Sequence, residues 1–224
     1  MKKVIKFLTE LYDNNNREWF NDNKKEYIEI TEICNNLTEK LIYGISQFDQ
    51  SICGLKIKDC TYKIHRDIRF SPDKTPYKTH IGIYICKGGK KSENAGYYLH
   101  IQPKGDFFVT GSLICAGLYM PQGKCLKSVR EEIDYNGNIF LENIKKAEGF
   151  YFFRGNKLKK MPKDFSDNSK YAEYIKQKDF LLEKQLSNDF LLQENLAEIL
   201  IKEFEKTYPF VSQINKAVDF ALEN

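Results

Sequence analysis

Hydrophobic spacing divides the chain into helical ends and a middle of period two. Over residues 2–13, Ile5, Leu8, Leu11 and Tyr12 share one side of a helical projection, predicting a short helix. Asn14–Asn16 can cap the helix that follows. From Phe20 the apolar positions Tyr27, Ile30, Cys34, Leu37, Leu41, Ile45 and Phe48 step by seven, three and four, a long amphipathic helix ending near Gly44. Trp19 and Phe20 read as core anchors at its start.

The period then changes to two. Tyr62, Ile64, Ile68 and Phe70 oppose Lys63, His65, Asp67 and Arg69, with Arg66 on the apolar side. Ile81, Ile83 and Ile85 oppose His80, Tyr84 and Cys86, and Tyr97, Leu99 and Ile101 oppose Tyr98, His100 and Gln102. Phe107, Val109 and Leu113 oppose Phe108, Thr110 and Ser112. KGGKKSENAG reads as a hairpin loop and PKGD as a tight turn, so these segments predict an antiparallel meander with one aliphatic face. Helical spacing returns from Pro121 to about Tyr135, where Asn136 and Gly137 break it before another short helix. GFYFFRG and KDFLLEKQLS read as strands, residues 156–169 as a loop and 169–177 as a short helix. A capped helix runs from Asn188 to Thr207, ended by Pro209, and a last helix to Leu222 turns Ile214, Ala217, Val218 and Ala221 inward.

The predicted fold is α+β, a mostly antiparallel central sheet with helices packed on one face. The expectation is one domain over 1–224: N-terminal helices 2–48, a sheet core of about 58–115 and a helical C-terminal part of about 121–222. The start MKKVIKFLTE begins like a secretory signal, but Lys6, Thr9 and Glu10 interrupt its apolar run. No stretch approaches a membrane span, which predicts a soluble, cytoplasmic protein. Six cysteines (34, 53, 60, 86, 115, 125) show no metal-finger or C-x-x-C spacing, and reduced core thiols are the favoured reading.

Charge changes the picture at one place. The chain carries a formal +4, yet residues 54–91 alone hold ten Lys/Arg against three Asp. At their centre lies His65–His80, HRDIRFSPDKTPYKTH. Arginine's planar fork and lysine's point charge suit phosphate or carboxylate oxygens, and Pro72 and Pro76 restrict the loop that would present them. Arg69, Lys74 and Lys78 are the candidate clamp, with Asp67 and Asp73 orienting the arginines and Tyr77 in the same loop. The competing reading is an internal ion-pair network. For Arg66, on the apolar side, that reading is preferred: a buried arginine with an unnamed carboxylate.

With strands in register, the face opposite the isoleucines gathers His65, His80, His100, Tyr84, Tyr98 and Gln102, which looks more like a pocket floor than a solvated sheet. His80, Tyr98 and His100 are therefore ligand-binding candidates. A metal site from the three histidines and Asp67 ranks below a hydrogen-bonded polar face, because their spacing matches no compact ligand motif. No G-x-G-x-x-G, Walker loop, G-x-S-x-G or H-E-x-x-H is present, so neither cofactor nor reaction class is named. Nucleic acid is the rival partner, but a pI near 8.5 is modest for that role.

At RDIRFSPDKTPYKTH the chain resembles the domain of unknown function 2461 family of conserved hypothetical proteins. NNREWF (Asn15–Phe20), GYYLHI (Gly96–Ile101), GLYMP (117–121), Arg130 within LKSVREEI and the MPKDF…IKQKDF region extend the resemblance over nearly the whole chain. ICAG stands where the family is more glycine-rich, which would alter how closely a ligand approaches that turn. Asp164 replaces a glycine in a loop. The resemblance implies a single α+β unit and no activity. The leading expectation is a small-molecule protein, its enzymatic activity left open, holding a phosphate- or carboxylate-bearing ligand through the 66–80 loop and the His/Tyr face. The alternative is a non-enzymatic module that binds nucleic acid or protein through the same basic surface.

Overall fold

The computed structural model describes residues 1–105 and 111–224. Helices α1 (Lys2–Asp13), α2 (Arg17–Asp22) and α3 (Lys24–Ser46) open the chain. Val4, Phe7, Leu8 and Leu11 form the buried side of α1, and Ile30, Cys34, Leu37, Leu41 and Ile45 that of α3. Asn16 is the cap expected of its segment: extended in backbone, it accepts a hydrogen bond from the Trp19 amide at 2.9 Å. Asn15 beside it acts on a distant segment. Its amide donates to Tyr77 O at 2.9 Å and its oxygen accepts from Tyr77 N at 3.1 Å, as a neighbouring strand would.

After the short α4 (Ile57–Cys60) the chain is irregular until β1 (Ile81–Cys86). The strand expected at Tyr62–Phe70 is absent. In its place isolated bridges join Thr61 to Ile83 and His65 to Tyr77, and of the expected apolar row only Ile64 is buried, while Phe70 is 94% exposed. The alternation there comes from charged residues pairing within a loop, as shown below.

Strands β2 (Gly96–Ile101), β3 (Leu113–Leu118), β4 (Tyr151–Phe152) and β5 (Phe180–Gln185) complete an antiparallel sheet in the order β1-β2-β3-β5-β4. The fold is α+β, but the sheet is not the simple meander expected, because β5 inserts between β3 and β4. The ICAG segment, expected at a turn, lies inside β3, all six of whose residues are buried. Gly117 is required there: with φ at +133°, an added Cβ would meet Phe180 O at 2.0 Å. The strand expected at 107–113 begins for the described residues only at Leu113; Phe107–Thr110, and Asp106 of the expected PKGD turn, lie outside them.

Helices α5 (Gly123–Lys146) and α8 (Leu196–Glu223) pack on each other, and α8 on β3. The expected break at Asn136–Gly137 is a kink within α5 rather than an end, with Asn136 at φ −116°. Between the helices lie α6 (Ala172–Ile175) and α7 (Asn188–Leu191), so the helix expected from Asn188 is divided before α8. Pro209 does not end α8. Its ring leaves one carbonyl without a donor, but that carbonyl belongs to the exposed Glu205, where solvent can satisfy it. Asn215 of α8 repeats the device of Asn15: its oxygen accepts from Ala95 N at 2.8 Å and its amide donates to Ala95 O at 3.1 Å.

The isoleucine face is covered as expected. Ile83, Ile85, Tyr97, Leu99, Ile114 and Leu182 join one hydrophobic cluster with Phe204, Phe210 and Ile214 of α8. Five cysteines are buried free thiols; Cys53 departs from the expected core position and is exposed. Among the described residues no helix is long and apolar enough to cross a membrane.

Candidate functional site

Register builds the uncovered face into rows. Tyr84 pairs with Tyr98, Tyr98 with Cys115, Cys115 with Glu183 and Glu183 with Tyr151, so one row takes a side chain from each of the five strands. The next row holds Gly82, His100, Leu113 and Gln185. Gly82 is needed bare, because a Cβ would meet the Tyr98 hydroxyl at 2.8 Å; the ring of Tyr98 lies across β1 at this point. Above these rows is a cavity of about 980 Å³. Thr31 and Asn35 of α3, Tyr62, Lys78, Tyr119 and Phe153 are among the residues that bound it.

The middle of the floor is a hydrogen-bonded chain. His100, 4% exposed, places Nδ1 2.9 Å from the Tyr98 hydroxyl and Nε2 2.6 Å from Oε1 of the buried Gln102. With that oxygen as acceptor, Nε2 carries the ring proton and Nδ1 accepts from Tyr98. His80 lies against His100 with ring centroids 4.5 Å apart. Tyr84 donates to Asn94 O at 2.8 Å. Burial raises the phenols of Tyr98 and Tyr84 above the ordinary tyrosine value and the Cys115 thiol above the ordinary cysteine value, with Glu183 a smaller cause for Cys115. These groups are therefore neutral at pH 7. Tyr98 with an imidazole behind it can give up or take back a proton, the minimal equipment for general acid–base chemistry.

Charge sits at the ends of the row. At the outer edge of β1, the ammoniums of Lys78 and Lys90 lie 5.5 and 5.8 Å from the centre of the Tyr62 ring. Lys90 also donates to Lys58 O. Lys78 is half-buried, burial lowers its pKa, and it makes no ion pair among the described residues. At the other end Glu183 accepts from the Tyr151 hydroxyl at 2.5 Å and from Gln185 Nε2 at 2.7 Å, both at Oε1. Glu183 too has no ion pair among the described residues.

The expected site residues divide between two places. Lys78, His80, Tyr98 and His100 line the cavity. Arg66, Asp67, Arg69, Asp73, Lys74 and Tyr77 do not. Arg66 pairs with Asp73 and Thr75 and reaches Ser71 Oγ at 3.4 Å. Its side chain is 26% exposed, which corrects the expectation of a buried arginine and supplies the missing carboxylate. Arg69 forks onto Asp67 at 2.9 and 2.6 Å, and Lys74 donates to Ile68 O at 3.0 Å. Tyr77 is buried and stacked on Phe20, with centroids 3.9 Å apart. His65 lies 5.2 Å from Tyr77 and not with the other two histidines, so the face does not gather all three. Among the described residues no three His, Cys, Asp or Glu come together to hold a metal ion.

Tyr62, Lys90, Cys115, Tyr151 and Glu183 are cavity residues that sequence reasoning did not single out. Leu181, Glu183 and Gln185 do share a face by period two. Only the β3–β5 pairing shows which face that is.

No curated protein and no solved structure matches the chain. A family model, described as conserved hypothetical protein (DUF2461), matches residues 3–212. The sheet, its cavity and the 65–78 loop all fall within that span, and the chain belongs to the DUF2461 family of conserved hypothetical proteins.

Proposed function

We propose that the sheet-face cavity binds a small molecule bearing a phosphate or carboxylate, with Lys78 and Lys90 receiving the anion beside Tyr62 and the body lying over His80, His100 and Tyr98. The observation that carries this reading is Lys78, a half-buried ammonium in a cavity, with no counter-ion among the described residues. An anion arriving there restores the interaction that burial removes, and the surroundings strengthen it. The cavity volume is in the range of small-molecule sites, and its lining mixes aromatic surface with a few polar groups. The Tyr98–His100 pair beside the body gives the reading room for an enzyme as well as a carrier.

The rival, a nucleic-acid or protein surface on the 66–80 loop, calls for cations free to meet phosphates. Arg66 and Arg69 already hold carboxylates, which ranks it second.

The test is a thermal-shift screen of inorganic phosphate, nucleotides, sugar phosphates and carboxylates against the parent, Lys78→Met and Lys74→Ala. A ligand that binds only the folded state raises the melting point, by about 2.7 kcal/mol of stability at one hundred times its dissociation constant. One anion class should stabilise the parent and Lys74→Ala alike, and bind Lys78→Met at least tenfold more weakly. Equal stabilisation of Lys78→Met, or none of the parent, refutes the site.

A further inference from the structure

Resting on that reading, we infer that the ligand is dipolar: beyond its anionic end it carries a protonated nitrogen, which docks on Glu183.

The register aims Glu183 into the cavity, in one row with Cys115, Tyr98 and Tyr84. Tyr151 and Gln185 both donate to Oε1, which fixes the orientation of the carboxylate and leaves Oε2 without a donor among the described residues. Its neighbours on the floor, a thiol and a phenol, are neutral. The next residue, Lys184, does not serve it, because its side chain crosses to the helical face and pairs with Glu203 at 2.8 Å. Among the described residues the cavity thus has an oriented carboxylate without a cation at one end and a lysine without an anion at the other.

The two charges do not neutralise each other. Glu183 to Tyr84 spans three strand spacings, about 14 Å, and Lys78 lies further out, with Tyr62, beyond the edge of β1. With their backbones that far apart, the two side chains form no ion pair among the described residues. A ligand that satisfies both ends is therefore elongated, with an anion at one terminus, an amine at the other and a body that crosses Tyr98 and His100. Amino carboxylates and amino phosphates share this chemistry.

Linear α,ω compounds of about this length test it. The set is an amino carboxylate, an amino phosphate, the N-acetyl form of each, and a dicarboxylate, titrated calorimetrically into the parent, Glu183→Gln and Lys78→Met. On the parent, each free amine should bind at least tenfold more tightly than its N-acetyl form. On Glu183→Gln that ratio should fall to near one and the dicarboxylate should gain affinity. The carboxylate and phosphate arms show which anion the Lys78 end prefers. Free amine and N-acetyl forms that bind the parent equally, both weakened in Lys78→Met, would overturn the inference and leave the anion site standing. No binding by any member would overturn both. The amine-to-acetyl ratio on the parent decides the matter even where Glu183→Gln folds poorly.

Discussion

The 65–78 loop and the cavity floor are both rich in ionisable side chains, and they treat charge in opposite ways. Up to Tyr77 each lysine and arginine of the loop has a local partner: Arg66 has Asp73, Arg69 has Asp67 and Lys74 has the Ile68 carbonyl. Most of these groups are exposed, and exposed pairs of this kind contribute little to stability. In the cavity, burial keeps Tyr98 and Cys115 neutral, while Lys78 and Glu183 have no counter-ions among the described residues. Saturated charges shape a loop, whereas unsaturated ones in a cavity define what it can receive. Motif density drew sequence reasoning to the first region; the cavity proposed as the ligand site is in the second.

The largest effect should come from the centre of the floor. His100→Ala removes the bridge between the Tyr98 hydroxyl and Gln102 Oε1 and opens a void beside His80. Losing such partners costs about 1–3 kcal/mol. For a chain of this size the melting point should fall by roughly 2–4 °C per kcal/mol. His100→Gln, which keeps a donor and an acceptor, should recover part of the loss. A variant as stable as the parent in calorimetric melting would mean that the chain of hydrogen bonds is ornamental, and the contrast with the loop would fail from the cavity side.

How much of this was legible in sequence depends on the range of the interactions. Ile81, Ile83, Ile85, Tyr97, Leu99 and Ile101 announced the covered face, because period two is local and one side of each strand is buried. The same rule failed at 62–70. There Asp67 pairs with Arg69, and Arg66 with Asp73, inside a loop held by Asn15 on Tyr77. β3 was missed for the opposite reason: buried on both faces, it shows no alternation. Lys78, His80, Tyr98 and His100 could be named because they flank or sit in readable strands. Glu183 could not, since its place beside Cys115 depends on a pairing between residues far apart in the chain.

A smaller effect should separate the two regions in acid. Asp73 is held at about 2, first by the Thr75 amide and then by the Arg66 guanidinium. A depressed carboxylate favours the ordered loop above its ordinary value of about 3.9. That contribution fades as pH falls toward 2, when the loop should become open to pepsin between residues 66 and 75. The phenol and thiol of the floor are already protonated there and should not respond. Arg66→Ala removes the second of these holds and leaves those of Thr75, so the onset of cleavage should move to higher pH. Cleavage that does not change across this window would break the assignment of the pair as the loop's clasp.

The smallest effect expected is the most discriminating. Arg69 sits in the densest part of the motif, and were that stretch a lock on the fold, Arg69→Ala would unfold the protein. Its side chain is 77% exposed, and its carboxylate partner lies two residues away in the same loop, so the pair crosses no boundary between elements. Removing it leaves no buried group without a partner. The melting point and the anion affinity of Arg69→Ala should both match the parent. The change should appear only at Asp67, whose carboxyl is lowered chiefly by the Arg69 side chain and should return toward the ordinary aspartate value in an NMR titration. A large drop in melting point would show that the loop carries the fold after all, and the division between shaping charges and receiving charges would have to be drawn elsewhere.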